Sequence, residues 1–417
     1  MSMKPVLPVR KQFRAPFINT NQVIQHQFVH YDHDFVSKKE KRDPELVEME
    51  EHLNDLERQG HEMMISRQLY FRAKWYEEYT AHFREFDKEK ALFEASLLDK
   101  NQPERLEQCE EGYWGKFLKL YFLKFDQTVD AINELSETTE SPKYPLTFME
   151  HLNDPVVRNR YLKSLLVSDI PETGVNNRDA LNAMASGLAQ FCFKNRLKKY
   201  IRNYTQGFDL TDEYVESYKE FVDWWQDETT GYWGAWYKTD FGMLHTTDLS
   251  ITYHMIAYIR KAKTLPINHW PQIIRTTFEI KNRPYPYGWM HEGHMNNHNS
   301  YDVAKIFKFG WDEMTDGQRT HASREIQEML DYCLNVSWND AEGFVGDPSF
   351  YNSLSSAYYF GVSFLCIIGY FNKDERFWTD QDFPEAPAMK QKILDKMDEL
   401  DMDDRISEAA RDRLTSC

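Results

Sequence analysis

The stretch DETTGYWGAW, residues 227–236, contains the pattern that decides the fold: an acidic turn, a glycine and a cluster of aromatic side chains. Related turns occur as EEGYWG, YPYGWM and NDAEGFVG, and IPETGVNNRD has the turn without the aromatic residue. The key glycines are spaced by 62, 57, 57 and 55 residues and are Gly112, Gly174, Gly231, Gly288 and Gly343. Such a regular period indicates a repeated structural unit.

Two kinds of helix fill each period. Apolar helices are predicted after four of the turns, at RDALNAMASGLAQFCF, DLSITYHMIAYIRKA, NSYDVAKIFKFGW and SSAYYFGVSFLCIIGYF. Amphipathic helices are predicted at TDEYVESYKEFVDWWQD, INHWPQIIRTTFEIKN and TDGQRTHASREIQEMLDYCLNVS. Since a helix that is apolar all round is typically buried and a one-sided helix is half exposed, the repeat predicts stacked helical hairpins.

A ring of hairpins accounts for the wholly apolar helices better than a straight stack, because it encloses them as an inner circle. We therefore predict an all-α fold, an α/α toroid that is an incomplete or closed (α/α)5–6 barrel of hairpins of about 55 residues. The predicted organisation is an extended N-terminal arm at 1–43, the toroid at 44–383 with a further hairpin at 44–98, and a charged C-terminal helix at 384–417.

Charge and composition exclude several classes of protein. Against 50 Lys and Arg there are 67 Asp and Glu, a formal net charge of −17, so nucleic acid and polybasic membrane contacts are not expected. No apolar run of about 18 residues and no secretory signal is visible. Five cysteines without CxxC spacing predict reduced thiols, with Cys192, Cys333 and Cys366 as small core residues, and a cytoplasmic location. We expect no cofactor and no metal, and the sequence specifies no oligomeric state.

The turns that lead into the apolar helices concentrate polar and aromatic side chains. In a ring these turns meet at one mouth of the cavity, where aromatic faces could stack on sugars. The predicted substrate-binding residues are Asn177, Trp233, Trp236, His245, Asp248, Trp289, His291, Glu292 and His294. Simpler structural roles are also open, because Trp233 could lock its turn and Asp248 could cap a helix.

The segment HEGHMNNHNSYD, residues 291–302, is the strongest candidate for chemistry, because it places many polar groups before a buried helix. Its histidines lack HExxH spacing and a Cys partner, so a metal site is not predicted. Hydrolysis of a glycosidic bond would need two carboxylates about 5–9 Å apart, drawn from Asp240, Asp248, Glu292 and Asp302. β-Elimination on a uronate would use His298 as base, Tyr301 as acid, and Asn297 with Arg178 to polarise the carboxyl group.

The run Asn296-Asn297-His298-Asn299-Ser300-Tyr301 resembles the Asn-Asn-His-Ser-Tyr-Trp motif of alginate lyases and related α/α-toroid polysaccharide lyases. One residue is inserted before Ser-Tyr, and Asp302 stands at the place of the final Trp. The resemblance implies a toroid with β-eliminating activity. The glycine–aromatic turns are also similar to those of terpene-cyclase and prenyltransferase toroids, whose Asp-x-Asp-Asp motif resembles DMDD at 401–404. We interpret that run as a solvated face.

These observations predict a carbohydrate-active toroid protein that cleaves an oligo- or polysaccharide, by β-elimination on a uronate-containing glycan. Three alternatives stay open. A glycoside hydrolase would use a carboxylate pair, and a non-catalytic toroid would bind a glycan, a lipid or a protein. A terpene-cyclase-like enzyme would use the aromatic cavity to stabilise carbocations.

Overall fold

The computed structural model describes residues 107–115, 118, 120–168, 176–239, 242–262, 266–291, 293–345, 351 and 354–417. The predicted N-terminal arm, the hairpin at 44–98 and the residues Gly174, Asp240 and Glu292 lie outside the described residues. The chain divides at Pro266 and Ile267 into two compact units, which are described separately below.

The described residues are mostly α-helical, which confirms the all-α prediction. The helices of the first unit are α1 (Tyr121–Thr138), α2 (Pro155–Leu165), α3 (Arg178–Phe193), α4 (Asn195–Tyr204), α5 (Asp212–Trp225) and α6 (Leu249–Ala262). Its short strands are β1 (Val167–Ser168), β2 (Trp236–Thr239) and β3 (Gly242–His245). Strand β2 pairs in parallel with β1 and antiparallel with β3.

Helix α3 is the centre of the first unit. It packs against α1 and α6 and also contacts α2 and α5. Small and apolar residues let its neighbours approach on several sides, and ten of its residues are buried, including Met184, Gly187 and Leu188. The amphipathic α5 begins where the Thr211 hydroxyl accepts a hydrogen bond from the Tyr214 amide, as expected for an N-cap.

The second unit continues the alternation of helix types. Its helices are α7 (Trp270–Glu279), α8 (Asn297–Gly310), α9 (Asp316–Tyr332), α10 (Leu354–Ile367), α11 (Ala386–Glu399) and α12 (Arg405–Ser416). Strands β4 (Trp338–Asn339) and β5 (Gly343–Phe344) form an antiparallel pair. Helix α8 packs against α7, α9 and α10, and α10 packs against α12. The four predicted apolar helices therefore form as α3, α6, α8 and α10.

The glycine–aromatic turns have a structural reason for their composition. Gly231 has φ of 73°, a left-handed conformation that glycine adopts without strain. Behind this turn, Trp225 Nε1 donates to the Gly234 carbonyl and Trp233 Nε1 donates to the Val222 carbonyl, both within 2.9 Å. Because both indoles are buried, the aromatic residues lock the turn onto α5.

Two features differ from the sequence prediction. The charged C-terminal segment forms two helices, α11 and α12, because Asp404 accepts hydrogen bonds from the amides of Ile406 and Ser407 and starts a new helix. Cys366, predicted as a small reduced core residue, forms a disulfide with Cys417 across α10 and α12, with Cα atoms 5.8 Å apart. Cys192 and Cys333 are buried free thiols, as predicted.

DMDD at 401–404 is therefore the turn between α11 and α12. Asp401 and Asp403 are exposed, whereas Asp404 caps α12 and accepts a hydrogen bond from the Ser355 hydroxyl. Among the described helices, no segment is both long and apolar enough to span a membrane.

Candidate functional site

The predicted site residues fall in both units. The first unit contains Asn177, Arg178, Trp233, Trp236, His245 and Asp248. The second contains Trp289, His291, His294, Asn297, His298 and Tyr301. Each group is described within its own unit, and Glu292 lies outside the described residues.

A buried ion pair joins the starts of α3 and α6. Arg178 Nε lies 2.8 Å from Asp248 Oδ2, and Arg178 Nη2 lies 3.0 Å from Asp248 Oδ1. Arg178 Nη1 also donates to Asp179 at 2.8 Å. Asp248 is fully buried and accepts a hydrogen bond from the Ile251 amide, so it is the N-cap of α6. Both side chains therefore hold the first unit together.

The other predicted residues of the first unit also have partners inside the fold. His245 stacks on Trp236 with ring centroids 4.0 Å apart, and its Nε2 lies 2.9 Å from the Gly234 carbonyl. Asn177 donates from Nδ2 to the Val167 carbonyl at 2.9 Å. These contacts join the short strands and turns of the first unit. The rings of Trp236 and His245 are buried.

A polar row along α3 was missed by the sequence analysis. His254 of α6 has its Nδ1 3.0 Å from Asn182 Oδ1, and Ser186 donates to the same oxygen at 3.1 Å. Arg178, Asn182 and Ser186 follow one another at intervals of four residues, which places them on one face of α3. This four-residue spacing could have identified the polar row in the sequence, but the residues around it are mostly apolar and the stretch was interpreted as an apolar helix.

In the second unit, the loop before α8 is tied to the helix by asparagine side chains. Asn296 accepts a hydrogen bond from the His298 amide at 2.8 Å and another from the Tyr351 hydroxyl at 3.0 Å. Asn299 donates to the Trp289 carbonyl at 2.9 Å, and Asn297 donates to Ser337 Oγ at 2.7 Å. All three amides are buried, so they fix the position of the first turn of α8.

His291 and His294 form a small turn in the same loop. Their backbone amides and carbonyls pair reciprocally at 2.9 and 2.8 Å. His291 is buried and His294 is exposed, so their side chains differ in access to solvent. Among the described residues, no group of three or more His, Cys, Asp or Glu side chains is arranged to hold a metal ion.

One partly exposed imidazole lies near a buried carboxylate. His298 Nε2 lies 3.9 Å from Asp302 Oδ2, one helical turn further along α8. The His298 side chain is 23 % exposed, whereas that of Asp302 is 1 % exposed. Tyr285 donates to Asp302 Oδ2 at 3.5 Å, and the Phe360 ring lies with its centroid 4.0 Å from that of His298. A histidine that lies near a carboxylate and is partly exposed to solvent can act as a general base.

A tyrosine and a lysine form a second pair on α8. Lys305 Nζ donates to the Tyr301 hydroxyl at 2.7 Å. Burial, followed by the nearby charge of Arg413, lowers the pKa of Lys305 to about 8. The Tyr301 hydroxyl and the Lys305 ammonium each carry a proton of the kind that general acid catalysis uses.

Four of these residues were not named as candidates from the sequence: Tyr285, Lys305, Phe360 and Arg413. Lys305 follows Tyr301 by four residues, as Asp302 follows His298, and that helical spacing could have identified both pairs. Phe360 and Arg413 reach the site from α10 and α12, and only tertiary packing brings them there.

Comparison with family models, with curated proteins and with solved structures returns no match for the chain.

Proposed function

We propose that the protein is a carbohydrate-active enzyme that cleaves a uronate-containing glycan by β-elimination, with His298 as the base. The observation that carries the proposal is the partly exposed His298, whose Nε2 lies 3.9 Å from the buried Asp302 Oδ2. A nearby buried carboxylate stabilises the imidazolium that forms when His298 accepts a proton, and the His298 side chain is 23 % exposed.

The reaction needs an acid as well as a base. His298 takes the C5 proton of the uronate, the electrons form a C4=C5 double bond, and the bond from C4 to the glycosidic oxygen breaks. Tyr301 is proposed to protonate that leaving oxygen, because its hydroxyl already has a hydrogen-bond donor in Lys305. His298 then returns its proton to solvent, and Tyr301 regains a proton from solvent.

Stacking surfaces and the predicted architecture support a sugar substrate. Phe360 and Tyr285 are only partly buried and flank His298 at the start of α8, where aromatic faces can pack on the C–H surfaces of a sugar. The ring of hairpins, an (α/α)5–6 toroid, remains part of this proposal. It is supported by the side-by-side packing of α3 with α6 and of α8 with α10.

Arg178 and Asn297 were predicted to polarise the uronate carboxyl group; for both residues this role stays a prediction, and the mechanism proposed here does not depend on it. Arg178 is engaged by Asp248 and Asp179, and Asn297 by Ser337. Of the other predicted contacts, those in the second unit (Trp289, His291 and His294) are proposed to border the sugar site.

The test is an ultraviolet assay on purified protein with a panel of acidic and neutral glycans, because elimination creates an absorbing C=C bond. His298→Ala is expected to lower kcat by about 10²- to 10⁴-fold, and Asp302→Asn is expected to lower it in the same direction. His151→Ala, an exposed histidine of the first unit, is the control. New reducing ends without absorbance would instead indicate a hydrolase, and binding without products would indicate a lectin-like protein. Unchanged turnover in His298→Ala would remove His298 as the base.

A further inference from the structure

Two cationic side chains from distant parts of the chain converge on the Tyr301 ring. Lys305 Nζ lies 4.8 Å from the centroid of that ring, and the guanidinium carbon of Arg413 lies 5.7 Å from it. The same guanidinium lies 4.8 Å from the centroid of the Tyr359 ring. Lys305 and Arg413 are each neither fully buried nor fully exposed.

The two cations repel each other, and burial strengthens that repulsion. Burial is the main cause that lowers the pKa of Lys305 to about 8, and the charge of Arg413 is the next. Asp302 opposes both effects with its negative charge, while Lys308 is paired with Glu375 at 2.7 Å. In a chain of net charge −17, this is a local concentration of positive charge beside the proposed acid and base.

The position of Arg413 is fixed from three directions. Helix α12 packs against α10, and Arg413 Nη1 donates to the Ser363 hydroxyl. The Cys366–Cys417 disulfide joins the same two helices about one turn beyond Arg413. A cation held in this way needs little ordering when an anion binds, which favours affinity.

We propose that Lys305 and Arg413 form the subsite for the substrate carboxylate, so that the C-terminal helix α12 is part of the binding site. This inference rests on the proposed uronate specificity and transfers to the second unit the role predicted for Arg178. A carboxylate placed between the two cations relieves their repulsion. It is also adjacent to the carbon that loses its proton, where negative charge develops during the elimination.

The test measures charge-selective binding by titration calorimetry. The probes are trimers of galacturonate, mannuronate, guluronate and glucuronate, together with the carboxyl-reduced form of each trimer that binds. Arg413→Gln and Lys305→Gln are each expected to raise the Kd of the acidic trimer about 10- to 100-fold, the range of a lost charge-assisted hydrogen bond. Binding of the reduced trimer is expected to change by no more than about twofold.

Arg411→Gln is the matched control, because it removes the same charge from the same helix at a residue paired with Asp398 at 2.8 Å. Arg413→Lys should restore part of the affinity for the acidic trimer. An unchanged Kd in Arg413→Gln overturns the subsite. Equal weakening of acidic and reduced trimers together with a lower melting temperature also overturns it, because it shows a purely structural contact. If the protein cleaves a uronate and Arg413→Gln binds and cleaves it as the wild type does, the lyase activity is supported and only the subsite is refuted. Charge-selective binding without cleavage supports the carboxylate subsite and contradicts the lyase activity. The absence of any binding refutes the subsite and the lyase activity together.

Discussion

Replacing Asp248 by Ala is expected to destabilise the protein by roughly 4–6 kcal/mol. From the sequence alone, the position of Asp248 before an apolar helix predicts contact with substrate. Both carboxylate oxygens accept hydrogen bonds from Arg178, and Oδ1 also caps α6 at the Ile251 amide. Asp248 is fully buried and the Arg178 side chain is 13 % exposed. Breaking a buried pair of this kind costs roughly 3–5 kcal/mol, and losing an N-cap costs about 1 kcal/mol.

The two contributions separate in a short series of variants. Asp248→Asn keeps an oxygen that can cap α6, so it should lose about 1 kcal/mol less than Asp248→Ala. Asp154→Ala is the control, because Asp154 caps α2 by accepting from the Val156 amide at 2.8 Å and its side chain is exposed. That control should lose only about 1 kcal/mol.

The measurement is urea unfolding followed by circular dichroism, with the free energy of unfolding extrapolated to water for each variant. Equal m-values across the series would show that the unfolded state is unchanged. If Asp248→Ala lowers the free energy of unfolding by no more than Asp154→Ala does, the ion pair between Asp248 and Arg178 contributes nothing to stability. The structural reading of Asp248 and Arg178 would then be refuted.

Three further predictions concern other parts of the fold. Arg158→Met should lower the free energy of unfolding by about 3 kcal/mol in urea, because the guanidinium is fully buried and hydrogen-bonded; a loss under about 1 kcal/mol would contradict this. Gly343→Ala should lower the free energy of unfolding by at least about 2 kcal/mol in thermal melts, because φ is 81° and a Cβ would lie 1.8 Å from the Tyr358 hydroxyl. The control Gly317→Ala has open space around its Cβ and should be neutral or stabilising. Lys305 has a pKa of about 8 instead of 10.5, so the folded state binds fewer protons than the unfolded state between these pH values. The stability of the wild type should therefore rise relative to Lys305→Met from pH 8 to 10.5, and a pH-independent difference would contradict this.

The helices could be predicted because their determinants are local. The apolar stretch at 178–193 is the observed α3, residue for residue, and the amphipathic α5 begins at the predicted Thr-Asp start. Glycine at the turns was also readable, because Gly112, Gly231 and Gly343 need positive φ. Each of these signals depends on a few neighbouring residues, so a single sequence contains all the information.

The partners of the site residues could not be predicted, because they depend on packing between helices. Arg413 lies 112 positions after Tyr301 in the sequence, yet its guanidinium lies over the Tyr301 ring. Cys366 and Cys417 likewise meet only because α10 and α12 pack together. The second C-terminal helix was missed for a local reason, since a run of charged residues concealed the capping role of Asp404.

Polar residues before an apolar helix have different consequences in the two units. Asp248 is fully buried, and both of its carboxylate oxygens accept hydrogen bonds from donors within the protein, so it has a structural role. His298 occupies a comparable place at the start of α8, but its carboxylate partner lies behind it and part of its ring remains exposed. A buried carboxylate with an exposed imidazole in front of it can move a proton to or from a bound molecule, whereas a closed ion pair cannot do so without breaking. For that reason the proposed chemistry lies on α8, and the start of α6 has a structural role.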